Sequence, residues 1–94
     1  MNLEQIIKEK QGTIVDVRTS QEFKGGNVIG SINIPLQEMP YRIDELKEFQ
    51  APIIVCCASG ARSSQAQYYV SKEGIECVNG GSWLNVNFIK TQTI

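Results

Sequence analysis

Apolar residues recur at helical spacing in some segments of this chain and form short continuous runs in others. Leu3, Ile6 and Ile7 stand at helical spacing and predict a short amphipathic helix over residues 3–9 of an N-terminal segment, 1–12, that closes at Gly12. Further on, apolar positions at helical spacing predict helices over 41–49, over 62–73 and from Ser82 onward, whereas short apolar or β-branched runs predict strands at 13–17, 31–34, 53–56 and 75–78. Strands separated by helices indicate an α/β fold with an open, mainly parallel sheet of about four to five strands.

Local signals mark the ends of several of these elements. Thr19 followed by Glu22 is the pattern of a capping box, which predicts a short helix that runs through Phe23 and stops at Gly25-Gly26. Asn79-Gly80-Gly81 predicts a turn after the last strand. We find no linker, repeat or low-complexity stretch, so residues 1–94 are expected to form one domain.

Charge and apolar content narrow the classes of function. Nine Lys and Arg stand against ten Asp and Glu, and this balance argues against a nucleic-acid partner, which requires a basic face. No apolar run approaches the roughly 18–20 residues that span a bilayer, and the first ten residues lack a signal pattern. We therefore expect a cytoplasmic protein without membrane attachment. We also expect a monomer or a weak dimer.

The chain has three Cys and no His, which restricts its chemistry. An odd number of Cys argues against a disulfide framework. The spacing of Cys56, Cys57 and Cys77 does not suit a zinc site, so no metal is expected. Without an imidazole, a Ser or Cys nucleophile activated by His is excluded. A reactive Cys here has to be ionised by its surroundings alone.

The loop after the third predicted strand offers such surroundings. Cys57 is followed by small residues including Gly60, and a helix is expected to begin near Arg62. A tight loop of this kind turns backbone N–H groups toward an anion, and the helix N-terminus and Arg62 add positive charge. The pKa of the Cys57 thiol should therefore fall. Cys56 should face the other side of the sheet and belong to the core. Cys77, in another strand, is also expected in the core, although a role as a resolving thiol stays open.

Several segments of the chain resemble the family of single-domain rhodanese-like sulfurtransferases. The resemblance rests on residues 52–63, on Asp16-Val17-Arg18 with Glu22-Phe23, on 30–35, and on Gly80-Gly81 with Trp83. It spans residues 13–88 and implies an open parallel sheet flanked by helices.

The family resemblance also implies a mechanism that needs no cofactor. Cys57 would attack the outer sulfur of a donor such as thiosulfate and become a persulfide, which a thiophilic acceptor such as cyanide or a thiol then discharges. The donor and acceptor would be small molecules, or a protein that carries a persulfide. The residues that would bind the persulfide and complete the loop are Ala58, Ser59, Gly60, Ala61, Arg62 and Ser63, the first five through their N–H groups, with Arg62 closing the loop and Ser63 beginning the helix.

Supporting roles are expected at Asp16, which would orient the active loop, and at Arg18. In the family, the counterparts of Arg18 and Glu22 look like a structural ion pair. With Ala58 and Ala61 in the loop, Arg62 is its only cation, which predicts a weak preference for a doubly charged donor.

Two other functions compete with this interpretation. Cys56 and Arg62 fit the Cys-x5-Arg spacing of cysteine phosphatases, in which case Cys56 would be the nucleophile. Alternatively, the domain would be a non-catalytic rhodanese-like binding module. Such modules typically lack the Cys, and this chain keeps Cys57, Gly60 and Arg62 in register.

Overall fold

A four-stranded parallel sheet forms the centre of the fold. The computed structural model describes residues 2–92. Its elements are α1 (Leu3–Lys8), β1 (Thr13–Asp16), α2 (Ser20–Lys24), β2 (Ile32–Asn33), a 3₁₀ helix (Leu36–Tyr41), α3 (Ile43–Glu48), β3 (Ile53–Cys57), α4 (Ala61–Ser71), β4 (Cys77–Ser82) and α5 (Trp83–Thr91). The strand order is β2-β1-β3-β4, with every neighbouring pair parallel. The α/β class and the parallel sheet of four to five strands are thus confirmed.

Each face of the sheet has its own apolar core because side chains alternate along a strand. On one face, Val55 and Cys57 of β3 pack with Met39, Leu46, Ala66 and Val70 from the 3₁₀ helix, α3 and α4. On the other, Ile54 and Cys56 pack with Ile6, Ile7, Val86 and Ile89 from α1 and α5. All of β3 is buried, as expected for a central strand covered by helices on both faces.

The structure corrects two predicted elements. The predicted helix over 41–49 is shorter, Ile43–Glu48, and follows a 3₁₀ helix that the periodicity did not indicate. Pro40 lies inside that 3₁₀ helix, where its missing N–H and its ring disfavour a continuous α-helix. Arg42, with φ −125° and ψ 22°, separates the two helices.

The predicted turn at 79–81 is instead part of β4. Gly80 is buried between β3 and α5, where an added Cβ would lie 2.8 Å from Val86 Cγ2 and 3.2 Å from Ile54 Cγ2. The glycine therefore allows α5 to approach the sheet closely. The strand predicted over 75–78 is observed as β4 and ends at Ser82 rather than at Val78, whereas the remaining predicted helices and strands agree with the observed boundaries to within two residues. Within residues 2–92, no helix combines the length and apolar character needed to cross a membrane.

Candidate active site

The carboxyl ends of three strands meet at one edge of the sheet. Asp16 ends β1 and pairs with Cys56, while Cys57 ends β3 and pairs with Ser82 at the end of β4. Two helices begin at the same edge, α4 at Ala61 and α5 at Trp83. Ligand sites of open α/β sheets form at such edges because loops and helix N-termini converge there.

The Cys57 thiol is enclosed by the loop that follows it. Its side chain has no exposed surface, and its Sγ accepts a hydrogen bond from the Gly60 N–H at 2.9 Å and from the Ser63 N–H at 3.4 Å. Gly60 has φ 103°, a backbone conformation that strains other residues. This conformation turns the Gly60 N–H back toward the sulfur. The loop thus folds around the thiol, and the Ser63 N–H joins that of Gly60 although it was not among the predicted N–H donors.

Hydrogen bonds outweigh burial in setting the ionisation of Cys57. Burial is the largest single influence and opposes the thiolate. The hydrogen bond between Sγ and the Ser63 hydroxyl, to which the thiol donates at 3.5 Å, acts with the N–H groups of Ser63, Gly60 and Ser59 to lower the pKa of the thiol. Charge-assisted hydrogen bonds of this kind favour a thiolate without any imidazole. Ser63 is buried and lies in the first turn of α4. It does not begin that helix, and its direct contact with the sulfur went unpredicted.

Arg62 does not face the site as an unpaired cation. Its Nη1 and Nη2 donate to Oε1 and Oε2 of Glu22, at 2.7 and 3.0 Å, so the expected pairing of Glu22 with Arg18 is wrong. Oε1 of Glu22 also accepts from the N–H and hydroxyl of Thr19, which confirms the predicted capping box. The Arg62 hydrogen bond, followed by those of Thr19, lowers the pKa of Glu22 to about 2.

Arg18 is bound by Asp16 instead. The Arg18 Nη2 donates to Asp16 Oδ2 at 2.7 Å, its Nε donates to both carboxylate oxygens at 3.0 Å, and both side chains are buried. The guanidinium also donates to the Gly26 carbonyl and lies 4.5 Å from the ring centre of Trp83. Asn33, which was not predicted as a site residue, donates to the carbonyls of Asp16 and Arg18 and so fixes the end of β1.

Comparisons with known proteins agree with this architecture. A family model described as a rhodanese-like domain matches residues 2–84. The chain belongs to the rhodanese-like domain family.

Relatives of this rhodanese-like domain include curated and solved proteins. It is 30% identical to the thiosulfate sulfurtransferase GlpE of Vibrio cholerae over 87 residues, which cover 87% of this chain and 81% of GlpE. It is 32% identical to the uncharacterized protein YqhL of Bacillus subtilis over 65 residues, 69% of this chain, and spans about half (51%) of YqhL. A structure of a rhodanese with anions from E. coli superposes with a TM-score of 0.70 at 31% identity, over 78% of this chain and 88% of that chain.

The other predicted loop residues lie around the rim of the site in this rhodanese-like domain. Ala58, Ser59 and Ala61 are exposed, whereas Gly60 is half-buried. Glu22 was missed as a site residue, although its place in the capping box was readable. Its contact with Arg62 spans 40 positions of the chain, so no pattern among neighbouring residues could have indicated it.

The remaining cysteines differ from Cys57 in their surroundings. Cys56 has no exposed surface and lies on the opposite face of the sheet, where burial, reinforced by the charge of Asp16, raises the pKa of its thiol to about 12. Burial likewise raises the pKa of the half-buried Cys77 to about 12. The phosphatase interpretation required Cys56 as the nucleophile, and the structure contradicts it because that thiol does not face the loop.

Proposed function

We propose that this rhodanese-like domain is a sulfurtransferase that carries a sulfane sulfur on Cys57. The single observation that carries the proposal is the enclosure of Cys57 Sγ by the N–H groups of Gly60 and Ser63, which donate to the sulfur at 2.9 and 3.4 Å. These donors favour a thiolate, the nucleophilic form of cysteine. They can equally stabilise the negative charge of a persulfide that extends from the same sulfur.

The proposed reaction has two steps. The Cys57 thiolate attacks the sulfane sulfur of the donor and forms a new sulfur–sulfur bond. The donor's own bond to that sulfur breaks, and its electron pair goes to the leaving group, which is sulfite when the donor is thiosulfate. The acceptor then attacks the outer sulfur of the persulfide and restores the thiolate. Cyanide as acceptor gives thiocyanate, and a thiol gives a new persulfide.

The enclosed site suits this chemistry. A sulfane sulfur adds one compact atom to Cys57 and needs little room, which agrees with a loop of small residues closed by Gly60. The names of relatives such as GlpE of Vibrio cholerae support the same activity. Small-molecule donors and acceptors, or a protein-borne persulfide, are proposed as the partners.

Steady-state sulfur transfer tests the proposal. Purified protein is supplied with thiosulfate or a thiosulfonate as donor and cyanide as acceptor, and thiocyanate is measured. We expect turnover by the wild type and by Cys56→Ser, and none by Cys57→Ser. Equal activity of wild type and Cys57→Ser would contradict the proposal, as would absence of turnover with every donor and acceptor. The latter result would favour the non-catalytic binding module.

A further inference from the structure

The charges around Cys57 are more fully compensated than the sequence suggests. Arg62 is held by both carboxylate oxygens of Glu22, and Arg18 is held by both oxygens of Asp16. Each guanidinium is therefore paired with a carboxylate of its own. Once Cys57 is ionised, these five groups together carry one negative charge.

Of the two pairs, Arg62–Glu22 is the one that acts on an incoming donor. Arg62 lies in the first turn of α4, directly after the loop, and its charge is felt by both Cys57 and Asp16. The pair is also accessible, with 35% of the Arg62 side chain and 37% of the Glu22 side chain exposed. The Asp16–Arg18 pair, by contrast, is buried under Trp83.

Glu22 is fixed where it is and does not release Arg62 easily. Its Oε1 is bound by Arg62 and by the N–H and hydroxyl of Thr19, and its Oε2 is bound by the second guanidinium nitrogen of Arg62. The capping box of α2 thus fixes the counter-ion of the active-site loop. Because the pKa of Glu22 is lowered to about 2, this carboxylate keeps its charge at any pH at which the thiolate exists.

We infer that Glu22 is a specificity-determining residue that cancels the charge of Arg62 and thereby selects sulfur donors of low charge over the thiosulfate dianion. The inference rests on the proposed sulfurtransferase function and adds to it the class of donor. A dianion that approaches a thiolate in a site without net positive charge is repelled, whereas a singly charged thiosulfonate or persulfide is repelled less. The chemistry of transfer is the same for all these donors, since the leaving group departs with the electron pair of the broken sulfur–sulfur bond: sulfite from thiosulfate, a sulfinate from a thiosulfonate and a thiolate from a persulfide.

Two substitutions at this position separate charge from shape. Glu22→Gln removes the negative charge but keeps a side chain that forms a capping box and accepts a bond from Arg62. Glu22→Asp keeps the charge but shortens the side chain. Because the pair is partly exposed, neither substitution should cost much stability.

The measurement is kcat/KM for thiosulfate divided by kcat/KM for an arenethiosulfonate, with cyanide as acceptor. We expect Glu22→Gln to raise this ratio on the order of three- to tenfold, the size of one partly screened charge interaction, chiefly through a lower KM for thiosulfate. Glu22→Asp should stay near the wild-type ratio. A matched control is Glu45→Gln, since Glu45 binds Arg42 through both oxygens on an exposed surface outside the site, at 2.7 and 2.9 Å; its ratio should not change.

The outcomes distinguish this inference from the proposed function. If the wild type transfers sulfur but Glu22→Gln leaves the ratio unchanged, or lowers both donors equally, the inference is wrong and the sulfurtransferase activity stands. If no donor is used at all, both are wrong. Wild-type protein alone provides an independent test: a preference for thiosulfate that weakens steeply with added salt would reveal an uncompensated cation and overturn the inference.

Discussion

Cys56 and Cys57 are consecutive residues whose thiols lie on opposite faces of the sheet and respond to their surroundings in opposite ways. Cys56 belongs to the core under α1 and α5, where burial raises the pKa of its thiol to about 12. Cys57 faces the loop, where hydrogen bonds from Ser63, Gly60 and Ser59 overcome the effect of burial and lower the pKa. The period of two along β3 is the origin of the difference.

The raised pKa of Cys56 predicts a loss of stability in alkali. A thiol whose pKa is higher in the folded state stabilises the fold fully below the unfolded value of 9.0, and this contribution is lost as the pH rises toward about 12. From this thiol alone, the free energy of unfolding should fall by up to about 1.4 kcal/mol per pH unit. Urea unfolding between pH 8 and about pH 11 measures it. Cys56→Ala should show a shallower decline, and parallel curves for the two proteins would contradict the assignment.

The Ser63 hydroxyl predicts a direct effect on thiol ionisation. Its removal in Ser63→Ala should raise the pKa of Cys57 and slow alkylation of that thiol several-fold near neutral pH, because the Ser63 hydroxyl, 3.5 Å from Sγ and bonded to the Gly60 carbonyl, can turn to donate to the thiolate once it forms. The pH dependence of the iodoacetamide reaction reports the pKa. Ser64→Ala is the matched control because the Ser64 hydroxyl, like that of Ser63, donates to the Gly60 carbonyl. An identical pH profile for the two variants would argue against the role of Ser63.

Gly60 predicts a combined loss of stability and reactivity. An alanine at φ 103° is strained, so Gly60→Ala should lower the free energy of unfolding by about 1–2 kcal/mol. It should also raise the pKa of Cys57, since the N–H at 2.9 Å from Sγ moves. Gly74→Ala provides the comparison: Gly74 has φ 79° and open space around it, so that variant should lose stability without any change at the thiol. If both variants left the thiol unaltered, the loop would not be ionising it.

A larger residue at position 80 should create a packing conflict that a second substitution relieves. A methyl group at Gly80 would lie 2.8 Å from Val86 Cγ2, so Gly80→Ala should destabilise the fold by about 1–3 kcal/mol. Truncation in Val86→Ala opens space at that point. In the double variant, the Gly80 substitution should therefore cost less than it does alone, as a double-mutant cycle by urea unfolding would measure. Strictly additive losses would show that Gly80 is needed for some other reason.

Features that depend on interactions between residues close in the chain could be predicted from the sequence. The order of elements, the capping box at Thr19 and Glu22, and the opposite orientations of Cys56 and Cys57 all follow from spacing over a few residues. The enclosed loop at Cys57 followed from small residues placed between a strand and a helix. In each case the cause lies within one or two neighbouring elements.

What escaped prediction depends on contacts between distant elements. Glu22 reaches Arg62 because α2 is placed beside the active-site loop, whereas the family resemblance implied Arg18 as its partner. Gly80 was predicted as a turn residue because it lies in the run Asn79-Gly80-Gly81. Its close contact with Val86 depends on the position of α5, which the sequence does not reveal. The sequence suggested a local cation at Arg62, and the fold supplies its counter-ion.

The intact mass of the protein after incubation with a sulfur donor tests the central claim most directly. Wild-type protein and Cys56→Ser should each gain one sulfur atom, which cyanide then removes, whereas Cys57→Ser should gain none. A thiosulfonate and thiosulfate are both supplied as donors, so that donor preference does not hide the product. A sulfur retained by Cys57→Ser, or an unmodified wild type with both donors, would contradict the assignment of Cys57 as the sulfur carrier.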